Sequence, residues 1–239
     1  MSFVLRCVSP ETLDRLPEHD PKAIHSRRDL QRINRIMGTR VILLRGLRNL
    51  NLKASPRRIM ELGAGDGTLM LRLAEKLHHR WPAVHLLLLD RQHLVSAQTI
   101  DAFSALGWTV NVLTTDVMSW LQQSVDIQYD LILANLFIHH FENEEISMLF
   151  EVAAKRGKIF FACEPRRAVL PYIGSRVIGL IGANVVTRED AVLSVRAGFR
   201  GKELSALWPA AIEAWQLNEY PAGAFSHCFT ASREHEATL

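Results

Sequence analysis

From residue 57 onward, short apolar runs alternate with segments of helical periodicity, and this alternation constrains the fold most strongly. The run at 86–89 consists of four leucines, as expected of a strand that is covered on both faces. Strands are predicted at 58–62, 84–90, 109–114, 129–135 and 158–163. Helices are predicted between them at 68–80, 93–106, 118–123 and 142–154. Such an order is typical of a parallel sheet with crossover helices, so the predicted fold class is α/β.

Beyond the fifth predicted strand the alternation weakens. Two helices and an irregular segment are predicted next, at 169–180, 188–196 and 201–214. Two closing strands at 215–220 and 225–231 are separated by Pro221, Gly223 and small residues. Because this is a turn signal between two extended runs, the sequence predicts that the chain closes with an antiparallel hairpin.

The composition is that of an ordinary globular chain. Its 239 residues include 28 Lys and Arg against 25 Asp and Glu, a net charge of +3, which excludes a strongly charged disordered chain. Three widely spaced cysteines form no CxxC motif, so we expect a reducing, cytoplasmic location. We also expect no secretory signal and no transmembrane segment.

Residues 1–55 are predicted to form a helical cap or lid on a main domain at 56–239. Apolar residues recur at helical spacing through 33–47, in one or two amphipathic helices with a break at Gly38. No acidic residue occurs from 30 to 60, although eight basic residues do. This basic stretch is either a solvated helix face or a contact for RNA, an acidic carrier protein or a membrane surface.

The segment 61–68, with the sequence ELGAGDGT, leaves the first predicted strand and enters a helix. Its glycines let the backbone turn tightly and approach a ligand at the carboxyl edge of the sheet. The dinucleotide fingerprint would require glycine where Thr68 stands. The carboxylate of Glu61 favours a cationic ammonium or sulfonium group over a pyrophosphate.

This segment resembles the first motif of class I S-adenosylmethionine-dependent methyltransferases of the small-molecule type. The resemblance extends through the later strands and implies a Rossmann-like, doubly wound, seven-stranded sheet with S-adenosylmethionine as cofactor. It implies that Asp90 accepts from the ribose hydroxyls, that Asp116 receives the adenine amino group, and that Asn135 lies beside the methyl group. The implied cofactor-binding residues are Glu61, Gly63, Ala64, Gly65, Gly67, Asp90, Arg91, Thr115, Asp116, Val117 and Asn135. Asp90 and Asp116 are alternatively strand-end carboxylates that cap the next helix.

The histidine pair that follows the fourth predicted strand is the candidate catalytic group. In the resemblance, His139 and His140 begin the loop that faces the acceptor, and an imidazole near neutral pH is suited to remove its proton. Either histidine is alternatively a structural group that shapes this loop. His227 is a weaker candidate base.

The predicted acceptor-binding residues come from the cap and from the region after the fifth strand: Asn34, Met37, Glu164 and Tyr172. Glu164 is alternatively a partner of the neighbouring arginines. The apolar surroundings favour an aromatic or lipophilic small molecule.

The resulting hypothesis is metal-independent O-methylation of a small aromatic or lipophilic acceptor. We expect no metal because the sequence offers no convincing carboxylate set for magnesium. The alternatives are an RNA or protein methyltransferase and a non-catalytic protein that binds S-adenosylmethionine. Nucleic acid ranks lower because no RNA-binding module is visible, and the sequence does not predict the oligomeric state.

Overall fold

A computed structural model describes residues 5–50, 52, 54–123, 127–209 and 215–233. Within these ranges seven strands form one sheet: β1 (Arg58–Leu62), β2 (His85–Asp90), β3 (Thr109–Thr114), β4 (Leu131–Asn135), β5 (Ile159–Pro165), β6 (Trp215–Ala222) and β7 (Ser226–Arg233). Their order across the sheet is β3-β2-β1-β4-β5-β7-β6. The pairs from β3 to β5 are parallel, whereas β7 is antiparallel to both β5 and β6. This confirms the predicted fold class, including the closing hairpin.

Nine α-helices are found in the described residues: α1 (Pro21–Met37), α2 (Thr39–Asn49), α3 (Thr68–Leu77), α4 (Ala97–Ala105), α5 (Val117–Leu121), α6 (Asn143–Arg156), α7 (Val169–Val177), α8 (Val185–Ala197) and α9 (Glu203–Leu207). The prediction of an irregular segment at 201–214 is wrong where α9 forms, and residues 210–214 lie outside the described ranges. A 3-10 turn at Ile178–Ile181 follows α7. Strand β6 continues to Ala222, so the hairpin turn is shorter than predicted.

The sheet is buried on both faces, which explains the continuous apolar runs of its inner strands. One apolar cluster contains Leu86, Leu88 and Phe103, and another on the opposite face contains Met60, Ile132 and Phe150. All seven residues of β5 are buried, whereas the edge strand β3 is only partly covered. The carboxyl ends of β1 and β4, where the strand order reverses, therefore form a rigid crevice of the kind in which such sheets bind ligands.

The predicted helix break at Gly38 is found. Gly38 has a left-handed φ of 72° between α1 and α2, and its amide closes the last turn of α1. In α2, Leu43 and Leu47 are buried in the core, so this helix packs directly against the sheet. The division between a cap at 1–55 and a domain at 56–239 remains a prediction. Among the described helices, none combines the length and apolar character required to cross a bilayer.

Candidate active site

One cavity of about 770 Å³ lies at the carboxyl edge of the sheet. Its volume falls in the upper part of the roughly 300–1,000 Å³ range of small-molecule sites. Residues predicted to bind the cofactor line one end: Gly63, Asp90, Arg91, Thr115, Asp116 and Val117. Apolar residues of α1, α7, α8 and the 3-10 turn after α7 line the other end, among them Ile33, Met37, Ile178 and Val195. The cavity therefore joins a polar end on the sheet to an apolar end under the helices.

The glycine loop after β1 forms part of the polar end. Gly63 has a φ of 67°, and a Cβ added there would lie 2.2 Å from the ring of Phe137. Gly65 has a φ of 56°, and its amide donates to Oδ2 of Asp90 at 2.8 Å. Both positions therefore require glycine for a backbone conformation that L residues rarely adopt, and Gly63 requires it also for space. Ala64, Gly65 and Gly67 belong to the same loop but do not line the cavity, and neither do Glu61 and Asn135.

Two buried polar atoms near the crevice have no hydrogen-bond partner within the described protein. They are Oε2 of Glu61, on β1, and Oδ1 of Asn135, at the end of β4. Burial raises the pKa of Glu61 well above its usual value, and the nearby carboxylates of Asp66 and Asp90 raise it further. Because a buried acceptor without a donor is costly, both atoms fit a ligand that brings N–H or O–H donors, and a cationic group would restore the charge of Glu61.

The acids after β2 and β3 differ in their local roles. Asp90 accepts from the amide of Gln92 at 2.9 Å through its second oxygen and does not cap α4, which is capped by Ser96. Asp116 does cap α5, since its Oδ1 accepts from the amide of Met118 at 2.8 Å. Both carboxylates line the cavity, so capping by Asp116 is compatible with ligand binding.

The histidine pair lies in a 3-10 turn, Ile138–His140, directly after β4. Leu136 precedes it with a φ of 51°, a backbone strain that bulky residues rarely accept outside functional sites. Glu164, at the end of β5, is fully buried and accepts from the amides of Phe137, Ile138 and His139 at 3.0–3.4 Å. The carboxylate therefore organises the turn that presents both imidazoles.

His139 is enclosed by two carboxylates. Its Nδ1 lies 2.8 Å from Oε2 of Glu164, and its Nε2 lies 3.5 Å from Oε1 of Glu11. Burial disfavours the imidazolium, but the hydrogen bonds and charges of Glu11 and Glu164 outweigh it and raise the pKa of His139 to about 9. His139 is therefore a positive, N–H-donating group at neutral pH and is unsuited to accept a proton.

His140 has a different environment. Its Nδ1 lies 2.9 Å from the carbonyl oxygen of Phe137, which can only accept, so Nδ1 carries a proton and Nε2 is the nitrogen available to exchange one. That Nε2 lies 3.4 Å from Oε2 of Glu11 and 3.7 Å from Oδ2 of Asp14. The side chain is 22% exposed and lines the cavity. Of the pair, His140 is thus placed to take a proton, with two carboxylates to stabilise the resulting imidazolium.

Glu11 and Asp14 belong to an N-terminal segment, residues 5–16, that we call the strap. Its backbone amides at Thr12 and Leu13 donate to the carboxylate of Asp190, on α8, at 2.8 and 2.9 Å. Arg6 donates to the carbonyl oxygens of His139 and Phe141 at 3.1 and 2.7 Å. The strap is therefore tied both to α8 and to the histidine turn, which it covers.

The predicted acceptor-binding residues separate into two groups. Asn34 and Met37 line the apolar end of the cavity. Glu164 does not line it, because both carboxylate oxygens are engaged with the histidine turn, and Tyr172 lies outside the lining although Pro171 and Ser175 belong to it. His227 is buried beside Glu219, with Nε2 and Oε1 2.8 Å apart, away from the cavity lining. The sequence did not indicate that Glu11 and Asp14 belong to the site, nor that the ring of Phe137 packs against Gly63.

Glu11, His139 and His140 also form a group that could hold a metal ion, since one ligand atom from each lies within 4.8 Å of the others. Hydrogen bonds and ion pairs already account for these positions. Burial raises the pKa of Glu11, but hydrogen bonds with both histidines outweigh burial and lower that pKa well below its usual value. The expectation that no metal takes part stays a prediction.

Known proteins were compared with this chain in sequence and in structure. No protein-family model matches the chain, and no curated protein matches it in sequence. Solved structures do match. Magnesium protoporphyrin IX methyltransferase from Synechocystis PCC 6803, with bound S-adenosylmethionine, aligns with 93% of this chain and 88% of its own at 13% identity and a TM-score of 0.51.

Two further structures are larger proteins. Mitomycin 7-O-methyltransferase aligns with 92% of this chain and 60% of its own at 18% identity and a TM-score of 0.56. An O-methyltransferase family protein from Burkholderia thailandensis aligns with 98% and 64% at 14% identity and a TM-score of 0.58. The chain thus spans less than two thirds of the length of these two proteins. Together with the strand order, these matches show that the chain has the fold of class I S-adenosylmethionine-dependent methyltransferases.

Proposed function

We propose that the protein transfers a methyl group from S-adenosylmethionine to an oxygen atom of a small aromatic or lipophilic acceptor. The observation that carries the proposal is the position of His140, whose Nδ1 is held by the carbonyl oxygen of Phe137 and whose side chain lines the same cavity as Gly63, Asp90 and Asp116. The fold and the methyltransferases that share it support the proposal. We further propose a cytoplasmic location, as the cysteine pattern suggests; all three cysteines are free.

The polar end of the cavity fits this cofactor. In this proposal the cavity-lining carboxylates of Asp90 and Asp116 accept from the ribose hydroxyls and from the adenine amino group, and Glu61 and Asn135, which are buried near the crevice, offer unsatisfied acceptors. When bound, the cofactor supplies a methyl group on a positively charged sulfur. A site that already holds several carboxylates around Glu61 is suited to such a cation.

The protein then has to align the acceptor, exclude water and remove a proton. Asn34 and Met37 bound the acceptor end, and its apolar lining favours a lipophilic ring or chain. His140 Nε2 would take the proton of the acceptor hydroxyl, and the methyl group would pass from sulfur to that oxygen, so that the cofactor would leave as a neutral thioether. Glu11 and Asp14 stabilise the imidazolium, while His139 remains charged and holds Glu11 in place.

The proposal is tested first by binding. Calorimetric titration of the full chain should show one S-adenosylmethionine site, and Asp90→Asn should weaken it by at least about tenfold, as expected when a charged hydrogen-bond acceptor becomes neutral. Failure of the unaltered protein to bind the cofactor or its demethylated product would overturn the proposal.

The second test is transfer of labelled methyl groups to a panel of phenolic, quinone-like and amine acceptors. His140→Gln should lower kcat by about 10²–10⁴-fold on phenols, the usual contribution of a general base, with little change in cofactor affinity. His93→Gln is the matched control, because the side chain of His93 is exposed and lies beside Thr114. Labelling confined to RNA or protein would exclude a small-molecule acceptor.

A further inference from the structure

The outward face of α7 is unusually apolar. Leu170, Ile173 and Val177 are 57%, 53% and 47% exposed, and Leu180, in the 3-10 turn that continues the helix, is 88% exposed. Their spacing of three and four residues places them along one side of the helix. Scattered exposed apolar residues are ordinary, but a contiguous stripe of large ones marks an interaction surface.

The stripe continues across the entrance of the cavity. Ile36 of α1 and Ile181 of the 3-10 turn are also exposed, by 66% and 45%. Ile36, Val177 and Ile181 line the cavity as well, so these exposed side chains stand where its apolar end reaches the surface. We call the whole patch the apolar rim: Ile36, Leu170, Ile173, Val177, Leu180 and Ile181.

The two stretches that supply the rim are basic, and an exposed acid, Glu189, follows the second of them. Neither 30–60 nor 165–188, the stretches from which the rim is built, contains an aspartate or glutamate. Exposed arginines accompany the rim: Arg32, Arg35, Arg176 and Arg188. Arg32 donates to the carbonyl oxygen of Gly182 at 3.5 Å, and Arg188 lies against Gly179, so both are held beside the 3-10 turn. Asp29, the acid on the same helix as Arg32, is buried and engaged with it.

We propose that the apolar rim docks on an anionic lipid bilayer, with the leucines and isoleucines entering the boundary of the acyl chains and the arginines on the headgroup phosphates. An exposed apolar helix face flanked by basic residues is the pattern of interfacial membrane binding. Such binding does not require a transmembrane helix. A second copy of the chain fits less well, because a two-fold contact would bring the same arginines face to face.

The cavity entrance then faces the lipid, and a lipophilic acceptor enters from the bilayer without crossing water. This route rests on the proposed function. Docking itself does not, since it depends only on the rim and its arginines.

Docking is tested by flotation of the full chain with vesicles of phosphatidylcholine alone and of phosphatidylcholine mixed equally with phosphatidylglycerol. The protein should float with the mixed vesicles, and less so as salt screens the charges. The double variant Leu170→Ser, Leu180→Ser should lower the partition coefficient by about tenfold or more, because two large apolar side chains no longer enter the bilayer. Met148→Ser is its control, since Met148 is 51% exposed on α6.

The charge contribution is tested separately. Arg35→Glu with Arg176→Glu should weaken binding to the mixed vesicles by at least tenfold, as expected when two attractive charges become repulsive. The control Lys155→Glu, on α6, should leave binding to the mixed vesicles unchanged. Thermal unfolding of each variant verifies that it is folded.

The proposal would be overturned if the unaltered protein did not bind vesicles. It would also be overturned if the rim variants bound vesicles as well as the Met148→Ser control does. A third contrary result would be light scattering that shows a dimer in the unaltered protein and a monomer in the rim variants, with vesicle binding unchanged. Methyl transfer to a water-soluble phenol separates the two proposals. Transfer without vesicle binding rejects docking alone, and vesicle binding without transfer to any acceptor rejects the proposed function alone.

Discussion

Replacing Glu164 with glutamine removes the charge from the group on which the histidine turn is built. The carboxylate accepts three backbone amides and the Nδ1–H of His139. An amide in its place keeps one acceptor oxygen, but directs N–H donors at either the turn or the imidazole. The substitution therefore leaves at least one buried donor without an acceptor, which is the costly outcome.

The magnitude follows from the ion pair. The rise of the His139 pKa from 6.5 to about 9 corresponds to roughly 3 kcal/mol in favour of the imidazolium, shared between Glu11 and Glu164. Breaking a buried pair by removing one partner typically costs about 3–5 kcal/mol. With part of the stabilisation retained by Glu11, we expect the free energy of unfolding to fall by about 2–4 kcal/mol.

The chain offers a matched control in Glu219→Gln. Glu219 is also buried, accepts from His227 and from the amides of Leu204 and Ser205, and lies away from the cavity lining. Urea unfolding should show a comparable loss of stability in both variants. Only Glu164→Gln should lower kcat per folded molecule, by about a hundredfold or more, because it displaces the proposed base. Equal turnover in the two variants would refute the role assigned to Glu164.

Three other outcomes are expected. Since the pKa of folded His139 is raised to about 9, its stabilising contribution is fully present below about pH 6.5 and is lost as pH rises through 9; urea unfolding should report this decline, and a His139→Gln variant with an unchanged slope would contradict it. Gly63→Ala should weaken cofactor binding by at least about tenfold in calorimetry, because the added Cβ meets Phe137 at 2.2 Å, whereas Gly107→Ala, at a φ of 79° in open space, should cost about 1 kcal/mol of stability and no affinity. Dialysis against a chelator should leave kcat unchanged and elemental analysis should find no stoichiometric metal; loss of activity that a transition metal restores would instead assign Glu11 and the histidine pair to that metal.

The sheet was predictable because of its burial. Parallel strands that are covered on both faces must be apolar throughout, so the inner strands β1, β2, β4 and β5 stand out in the sequence. The short helix α9 does not, since its amino end is held by the carboxylate of Glu219 from β6, a contact between distant parts of the chain. Local periodicity carries no record of such a contact.

The site was predictable only where it follows a strand. His139 and His140 come directly after β4, so their place at the carboxyl edge can be inferred from the topology. Glu11 reaches them through the strap, which has no periodicity and is fixed by Asp190 and other groups of α8. Tyr172 lies outside the cavity lining, and an aromatic residue in a predicted helix does not reveal which side of the helix it occupies.

The strap also sets an order of events during synthesis. Glu11 leaves the ribosome well before Asp190, yet the amides of Thr12 and Leu13 find their acceptor only when α8 exists. A nascent chain that has completed β1 to β5 holds the histidine turn and Glu164, but it lacks the carboxylate on α8 that accepts from the strap. Completion of the candidate site thus waits for the synthesis of α8.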